Sequence, residues 1–514
     1  MRVVESTSMQ SVPGRRTALA VLVLMSLLAA RTSAAAQDGA PNGDSATPAP
    51  PPTTRPGEPI GPRGLRVRKE GALPGYTLIA PLVSNTIHLV DLDGRVVHRW
   101  QPGFRPGSEI FLENGNLLRC CQDPAVRGFN AGGKCGRLQE IDWDGNVVWD
   151  WTYASDEHVQ HHDLEVTPDG TILFIAYELK SRADCIAAGR HPSGVSKEGL
   201  WSEMVIEIEP VRPGGAEIVW EWHAWDHLIQ DHDPDAENYG NVSEHPELLD
   251  LNADLRRVPE TEDELEEMKK IGYVAANVTR GEISADWLHI NAIDYDARRD
   301  WIVLSSPNLS EVFILDHSTT SDEAAGHEGG QGGRGGDFLW RWGNPANYGA
   351  GTRRDQRLFS QHDSRFIRDG EPGAGRILVF NNGRARPDGD YSSVDELVLP
   401  IRADGIWEHE IGLPFGPAEP IWSYVAPHRA DFYSNFISGA TRLANGNTLI
   451  CEGARGRVFE VTPAGEIVWD YLSPFTEAQG ADQRGVPPYS LFRATRIPAD
   501  HPGLAGRRLE PLSQ

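Results

Sequence analysis

One motif recurs six times along the chain: a turn, usually with glycine, then two apolar residues and an aromatic-x-aromatic ending. It reads DLDGRVVHRW at 91–100, DWDGNVVWDW at 142–151, GGAEIVWEW at 214–222, GGDFLWRW at 335–342, AEPIWSY at 418–424 and TPAGEIVWDY at 462–471. The alternation is that of a half-covered strand whose last aromatics can pack between neighbouring sheets. A second pattern stands between the copies, an apolar strand broken by a tight turn: LENGNLL (112–118), VTPDGTILFIAY (166–177), IDYDARRDWIVLSS (293–306), FIRDGEPGAGRILVF (366–380) and LANGNTLICEG (443–453). Asx-Gly turns of this kind join antiparallel hairpins. Five hairpins lie between the first and last tryptophan strands. The sixth is assembled from both ends, with YSLFRATRIP (489–498) joining 76–100.

Six four-stranded sheets closed by strands from the two termini make an all-β, six-bladed β-propeller. A β-sandwich, or two unrelated β domains, gives no reason for a sixfold motif or for LFRATRIP echoing ISGATRL (437–443). The tryptophans are unevenly spaced, so some blades carry insertions. The largest, 229–285, contains a charged stretch, EDELEEMKKI, with Thr261 placed to cap a helix that ends before Gly272. The run 318–336, STTSDEAAGHEGGQGGRGG, reads as a flexible loop in which His327 is incidental.

Residues 1–36 have an arginine pair, a short apolar run and small residues before Gln37, the three-part pattern of a secretory signal peptide. Residues 37–64, rich in Pro, Gly and Thr, read as a disordered linker, leaving 65–514 for the propeller. Export to a periplasm or the exterior is expected, with no membrane association once the signal is cleaved. Losing residues 1–36, with four Arg and one Glu, takes the formal charge from −26 to −29. Such acidity excludes nucleic acid and anionic membrane as partners. Cys120, Cys121, Cys135 and Cys185 are disulfide candidates in an exported chain, whereas Cys451 sits in an apolar strand. Their spacing is not that of a zinc site, and no metal or cofactor is expected.

Aligned on their turns, three inner strands carry histidine at the same place: His162 precedes Gly170 by eight residues, His362 precedes Gly370 by eight, and His289 precedes Ala297 by eight. Ser438 holds the equivalent place in the following blade. Equivalent positions of inner strands converge on a propeller's axis, so a histidine-lined channel is predicted. Asp163 and Asp363 follow two of the histidines and are placed to orient an imidazole or another side chain. The segment FNNGRARPDGDYSSVDE (380–396) brings Asn382, Arg384 and Arg386 to a strand end, and Arg493 stands at the entrance of the closing strand. Arginine beside neutral imidazoles and amides suits an oxyanion such as sulfate, phosphate or carboxylate.

The segments HHDLEVTPDG, DWLHINAIDYD with LSSPNLSEVFILD, WRWGNP, SQHDSRFI and FNNGRARPDGDYSSVDE resemble those of the bacterial arylsulfotransferases, exported six-bladed propellers. The resemblance implies transfer of a sulfuryl group from a phenolic sulfate ester to another phenol without a nucleotide donor. It also implies a transiently sulfated histidine, with further histidines and an arginine binding sulfate and moving protons. By motif, His289, His362 and Arg386 match channel residues of that site. The sulfated histidine of the family comes from a later blade, where this chain reads DFYSNFISGATRL (431–443) and offers none. The nearest is His428. Three alternatives follow: His428 serves with shifted spacing, His289 or His362 serves, or the chain is a non-catalytic anion-binding propeller. A quinone-dependent oxidoreductase shares the glycine and tryptophan motif, but six blades and the lack of a cofactor pattern weigh against it.

Overall fold

In a computed structural model, which describes residues 61–257, 262–270, 285–402, 405, 407–477 and 486–513, the repeat becomes six antiparallel sheets. Blade 1 pairs Leu491–Pro498 with Gly75–Pro81, Ile87–Asp91 and Val96–Trp100, so the termini close the ring in the register Gly75 to Pro498 through Pro81 to Leu491. Blade 2 is built from Arg105–Phe111, Leu117–Gln122, Gly136–Ile141 and Val147–Thr152. Blade 3 comprises His158–Val166, Ile172–Lys180, Leu200–Val211 and Gly215–His223. Blade 4 takes Ala292–Asp296, Trp301–Ser306, Glu311–Asp316 and Trp340–Trp342, and blade 5 takes His362–Phe366, Ile377–Asn381, Ser393–Leu397 and Trp422–Tyr424. Blade 6 has Gly439–Arg442, Thr448–Glu452, Arg457–Val461 and Ile467–Leu472. A fifth strand, Gly64–Arg68, that no sequence pattern announces is laid along its outer edge. Each inner strand touches the inner strands of both neighbouring blades.

The tryptophan motif has a physical reason. Trp100, Trp149, Trp222, Trp340, Trp422 and Trp469, one per blade, donate their indole N–H to the carbonyls of Asp142, Gly215, Gly336, Gly416, Pro463 and Leu92. Every acceptor belongs to the next blade, and the last bond returns to blade 1. Each indole buries a large apolar face between sheets while its N–H is satisfied across the seam, about 1 kcal/mol for the hydrogen bond alone. The inner strands are stapled in the same sense. Asp163, Asp294 and Asp363 accept the backbone N–H of Ile293, Phe366 and Ala440, each one blade further on.

Two sequence expectations change. All five cysteines are buried and free, so the disulfide staples are not there. Cys120 and Cys121 are consecutive on one strand and point to opposite faces. Cys121 meets Gln139, while Cys120 faces Cys135 with the sulfurs 3.6 Å apart, well beyond a bond of about 2.05 Å. The glycine-rich run does not hang free either. Thr320 and Glu323 form a capping box on the short helix Ser321–Ala324, and Gly335 and Gly336 donate backbone N–H to Gly329 and Gly326.

The large insertion begins with a short parallel pair, Leu228–Ile229 with Leu249–Asp250, and the expected helix runs from Glu262 to Lys270 with Leu265 buried. Arg341, paired with Glu311, anchors the insertion to blade 4 by donating to the carbonyls of Pro246 and Leu248. The signal-peptide region, Thr261 and most of the linker lie outside the described residues. No described helix is long and apolar enough to cross a membrane.

Candidate functional site

The inner strands do not begin as regular strands. His162 (φ 51°), His289 (φ 53°), Asp363 (φ 54°), Ile437 (φ 47°) and Ser438 (φ 90°) all adopt left-handed backbone in or just before the inner strands. Bulges lie at the same level in blades 2, 3 and 5. Non-glycine residues held there cost of order 1–3 kcal/mol each, and a bulge re-aims the side chain beside it. The result is a cluster of imidazoles from three blades.

His162 and His289 meet edge to face with ring centroids 4.6 Å apart. His162 sits in a groove that only glycine permits. Its backbone N–H donates to the carbonyl of Gly133, and a Cβ on Gly133, itself at φ 70°, would lie 2.2 Å from the His162 ring. His162 Nδ1 is 2.8 Å from Nδ1 of His161, and His161 Nε2 is 2.8 Å from Oε2 of Glu203. The His161 ring stacks on Tyr177 at 3.7 Å, and the Tyr177 hydroxyl lies 3.3 Å from His289 Nδ1. That nitrogen also meets Asp286 Oδ2 at 2.5 Å. The Asp286 carboxyl accepts a proton carried on Nδ1, so in the neutral ring Nε2 is the nitrogen with the lone pair.

His362 is held differently. Its Nδ1 lies 2.8 Å from Asn382 Oδ1, its Nε2 accepts the Ile437 N–H at 3.2 Å, and Asn382 is itself fixed by donating to the carbonyls of Ser434 and Ile437. Both ring nitrogens of His362 thus have protein partners.

Burial sets the electrostatics of three of the imidazoles. Burial, reinforced by His289, pushes His161 and His162 well below the usual histidine range. Burial takes His362 down to about 3, opposed by the Asn382 bond and aided by His289 and Arg493. Glu203 moves the other way: burial pushes its carboxyl well above the usual range, against the Ile290 N–H it accepts and with Asp286 adding to the rise.

Beside the imidazoles, the next residues of the inner strands are held by arginines. Arg493 lies 2.5 Å from Asp163 and 2.8 Å from Asp363, and donates to the Asn291 carbonyl. Arg365 pairs with Asp363, and Arg368 with Asp294 and Glu165. Asp163 and Asp363 therefore orient arginine and backbone amides rather than imidazole.

Of the residues singled out from sequence, His162, His289, His362 and Asn382 come together, with Ser438 next to the Ile437 amide that reaches His362. Ser438 Oγ donates to Ser434 and accepts the Gly453 N–H. Arg386 stands on the loop after Asn382, where its guanidinium donates to Ser393 Oγ and the Tyr391 carbonyl and lies 4.5 Å over the Tyr391 ring. Arg384 is half-buried on the same loop. His428 is exposed on the turn into the short helix Arg429–Asp431, outside the imidazole cluster. His161, Glu203, Tyr177 and Asp286 were not anticipated. The acid Glu203 inside the apolar strand LWSEMVIEI and the paired histidines of QHHD were the available signals.

The family profile described as Arylsulfotransferase (ASST) matches residues 84–470. No curated protein matches the chain. Among solved structures, a protein of unknown function from Bacteroides caccae is similar at 12% identity and a TM-score of 0.41, over 82% of this chain and 99% of that one. The periplasmic gluconolactonase of Pseudomonas aeruginosa is similar at 13% identity and 0.36, over 82% and 99%. Virginiamycin B lyase from Staphylococcus aureus follows at 10% and 0.34, over 81% and 85%. With the profile covering the ring from blade 1 to the outer strand of blade 6, the chain belongs to the arylsulfotransferase family.

Proposed function

We propose that this protein is an exported arylsulfotransferase that passes a sulfuryl group from a phenolic sulfate ester to a phenol by way of a sulfated His289. The observation that carries the reading is the convergence of Asp286, His289 and His162: a nucleophilic nitrogen oriented by a carboxyl, with a second imidazole at its edge. Imidazole is a good nucleophile toward sulfur and a good leaving group from it. His362 has both nitrogens engaged, and His428 stands outside the cluster, which favours His289 among the three histidines.

In the first half-reaction His289 Nε2 forms a bond to sulfur as the S–O bond to the donor phenol breaks. A neutral imidazole is a poor acid by itself, and the neighbours of His162 remedy this. With Glu203 protonated, its O–H donates to His161 Nε2, His161 Nδ1–H donates to His162 Nδ1, and His162 Nε2 carries a proton toward the leaving oxygen. As that proton transfers, each member passes one along, leaving Glu203 as the carboxylate. In the second half-reaction the acceptor oxygen attacks sulfur, the N–S bond breaks, and the acceptor's proton enters at His162 Nε2 and returns to Glu203. Arg384 and Arg386 supply positive charge beside Asn382 for the donor's sulfate, the role of an oxyanion receptor.

Incubation with p-nitrophenyl sulfate alone should add the mass of one SO3 group to a peptide containing His289. Adding a phenol should then give continuous nitrophenol release and a sulfated acceptor. An adduct on His362 or His428 would overturn the assignment of the nucleophile. Release without acceptor would mark a hydrolase, and folded protein that does neither would be an anion-binding propeller.

A further inference from the structure

Outside the channel, the described residues hold one further convergence of metal-ligating side chains, His227, His327 and Asp337. His227 follows the outer strand of blade 3, whereas His327 and Asp337 belong to the glycine-rich segment between the third and outer strands of blade 4. Asp337 Oδ1 lies 2.7 Å from Nδ1 of His227 and 2.8 Å from Nδ1 of His327.

The setting of His227 makes this more than two hydrogen bonds to one carboxylate. Its Nε2 lies 2.8 Å from the carbonyl of Ala324, which can only accept, so the ring's proton is on Nε2. In a neutral imidazole, Nδ1 is then a bare lone pair aimed at a carboxylate oxygen 2.7 Å away. A cation shared by the two atoms, a proton or a metal ion, relieves the repulsion between them. An imidazole fixed through its second nitrogen by a backbone carbonyl is the usual support of a metal-bound histidine. The ring is buried against Trp222, with centroids 5.6 Å apart and planes 7° from parallel. The glycine segment closes over it so tightly that a Cβ on Gly336 would lie 2.6 Å from His227 Nε2.

We infer that His227, His327 and Asp337 form a zinc site that clasps the glycine-rich segment of blade 4 to blade 3. Two nitrogens and a carboxylate oxygen are borderline donors suited to zinc, whose tetrahedral bonds of about 2.0–2.2 Å set ligand atoms roughly 3.3–3.6 Å apart, so the side chains would open by somewhat under 1 Å to admit the ion. The clasp has an open side. The His327 side chain is 59% exposed and also lines a cavity of about 560 Å³ with Trp225, Ile229, Tyr239 and His245. A fourth position facing that cavity is left for water or a small ligand. This site is independent of the sulfuryl chemistry, because none of its three residues lies among the channel imidazoles.

The test uses the full chain without a histidine tag, stripped with chelator and titrated with zinc and with cobalt. One ion bound per chain, a cobalt spectrum of mixed nitrogen and oxygen ligation, and a melting midpoint raised by zinc are expected. His327 is exposed, so His327→Ala should fold normally, bind at least about 100-fold more weakly and lose the zinc-dependent rise in midpoint. Asp337→Asn should do the same. No stoichiometric binding by the folded wild type would overturn the site. Binding unchanged in His327→Ala would also overturn it, placing the ion elsewhere.

Discussion

Along the inner strands of blades 3 and 5, histidine and aspartate are consecutive residues, His162 with Asp163 and His362 with Asp363, yet the two layers they form are chemically opposite. The histidines carry no charge, because burial makes an imidazolium costly and only other imidazoles, amides and a displaced carboxyl stand nearby. The aspartates are just as buried, but Arg493 lies 2.5 Å from Asp163 and 2.8 Å from Asp363. Burial alone would raise Asp163, yet Arg493 and Arg365 hold its carboxyl below the usual range. At Asp163 two arginines outweigh depth, whereas burial, with Glu165 adding to it, pushes Asp294 up to about 7 even beside Arg368. The ionic layer ties blades to one another through side chains and backbone amides, and this leaves the imidazole layer available for chemistry.

The sharpest way to break this division is to remove a member of each layer and ask which property fails. His289→Ala should lower transfer from p-nitrophenyl sulfate to phenol by more than about 10⁴-fold with the unfolding midpoint nearly unchanged. Arg493→Gln should do the reverse, leaving Asp163 and Asp363 without their shared cation. Removing one partner of a buried ion pair costs about 3–5 kcal/mol, read as a lower midpoint in denaturant at neutral pH. That deficit should shrink as pH falls and Asp163 takes up a proton, whereas Asp363 keeps Arg365. If Arg493→Gln instead raises KM for the donor while stability holds, Arg493 binds sulfate and the two layers are not separate.

The fold was legible because its seams are written in the repeat. Each blade needs a tryptophan in its aromatic-x-aromatic ending to reach the next blade's carbonyl, the last aromatic in blades 1 and 3 and the first in the other four, and that requirement shows as six tryptophan strands. The histidine register was legible for the same reason, since equivalent positions converge on an axis. The supporting shell was not. Glu203 sits on the third strand of blade 3 and acts on His161 of the first, and the Asp286–His289 pair precedes blade 4's first strand on a left-handed residue that no local rule demands. The cysteines misled because composition and export suggested crosslinks, whereas strand alternation sends Cys120 and Cys121 to opposite faces.

Within the imidazole layer, the link from Glu203 through His161 to His162 is separable from the nucleophile. Glu203→Gln keeps a donor for His161 Nε2 but cannot surrender its proton. The first half-reaction with p-nitrophenyl sulfate, read as single-turnover nitrophenol release and needing little protonation of the leaving group, should change only slightly. The same half-reaction with phenyl sulfate should fall on the order of 100-fold, the usual contribution of a general acid. An equal loss with both donors would mean that Glu203 only packs the site.

The smallest effect concerns the dryness of the layer and is read in stability. His362 is pushed down to about 3 in the fold, against an ordinary value of 6.5. The unfolded chain therefore binds a proton at this histidine over a range where the folded chain does not. Its contribution is whole above 6.5 and is lost as pH falls from there toward 3. The slope is about 1.4 kcal/mol per pH unit for one such group. Glu203, raised in the fold, has the opposite sign: its contribution is present below the ordinary carboxyl value and declines as pH rises toward its folded value. In His362→Gln the fall in unfolding free energy between pH 6 and pH 4 should be shallower than in the wild type by about that single-proton slope. Parallel curves would mean that folded His362 takes up a proton as readily as the unfolded chain does, and the contrast between a neutral layer and an ionic one would fail at blade 5.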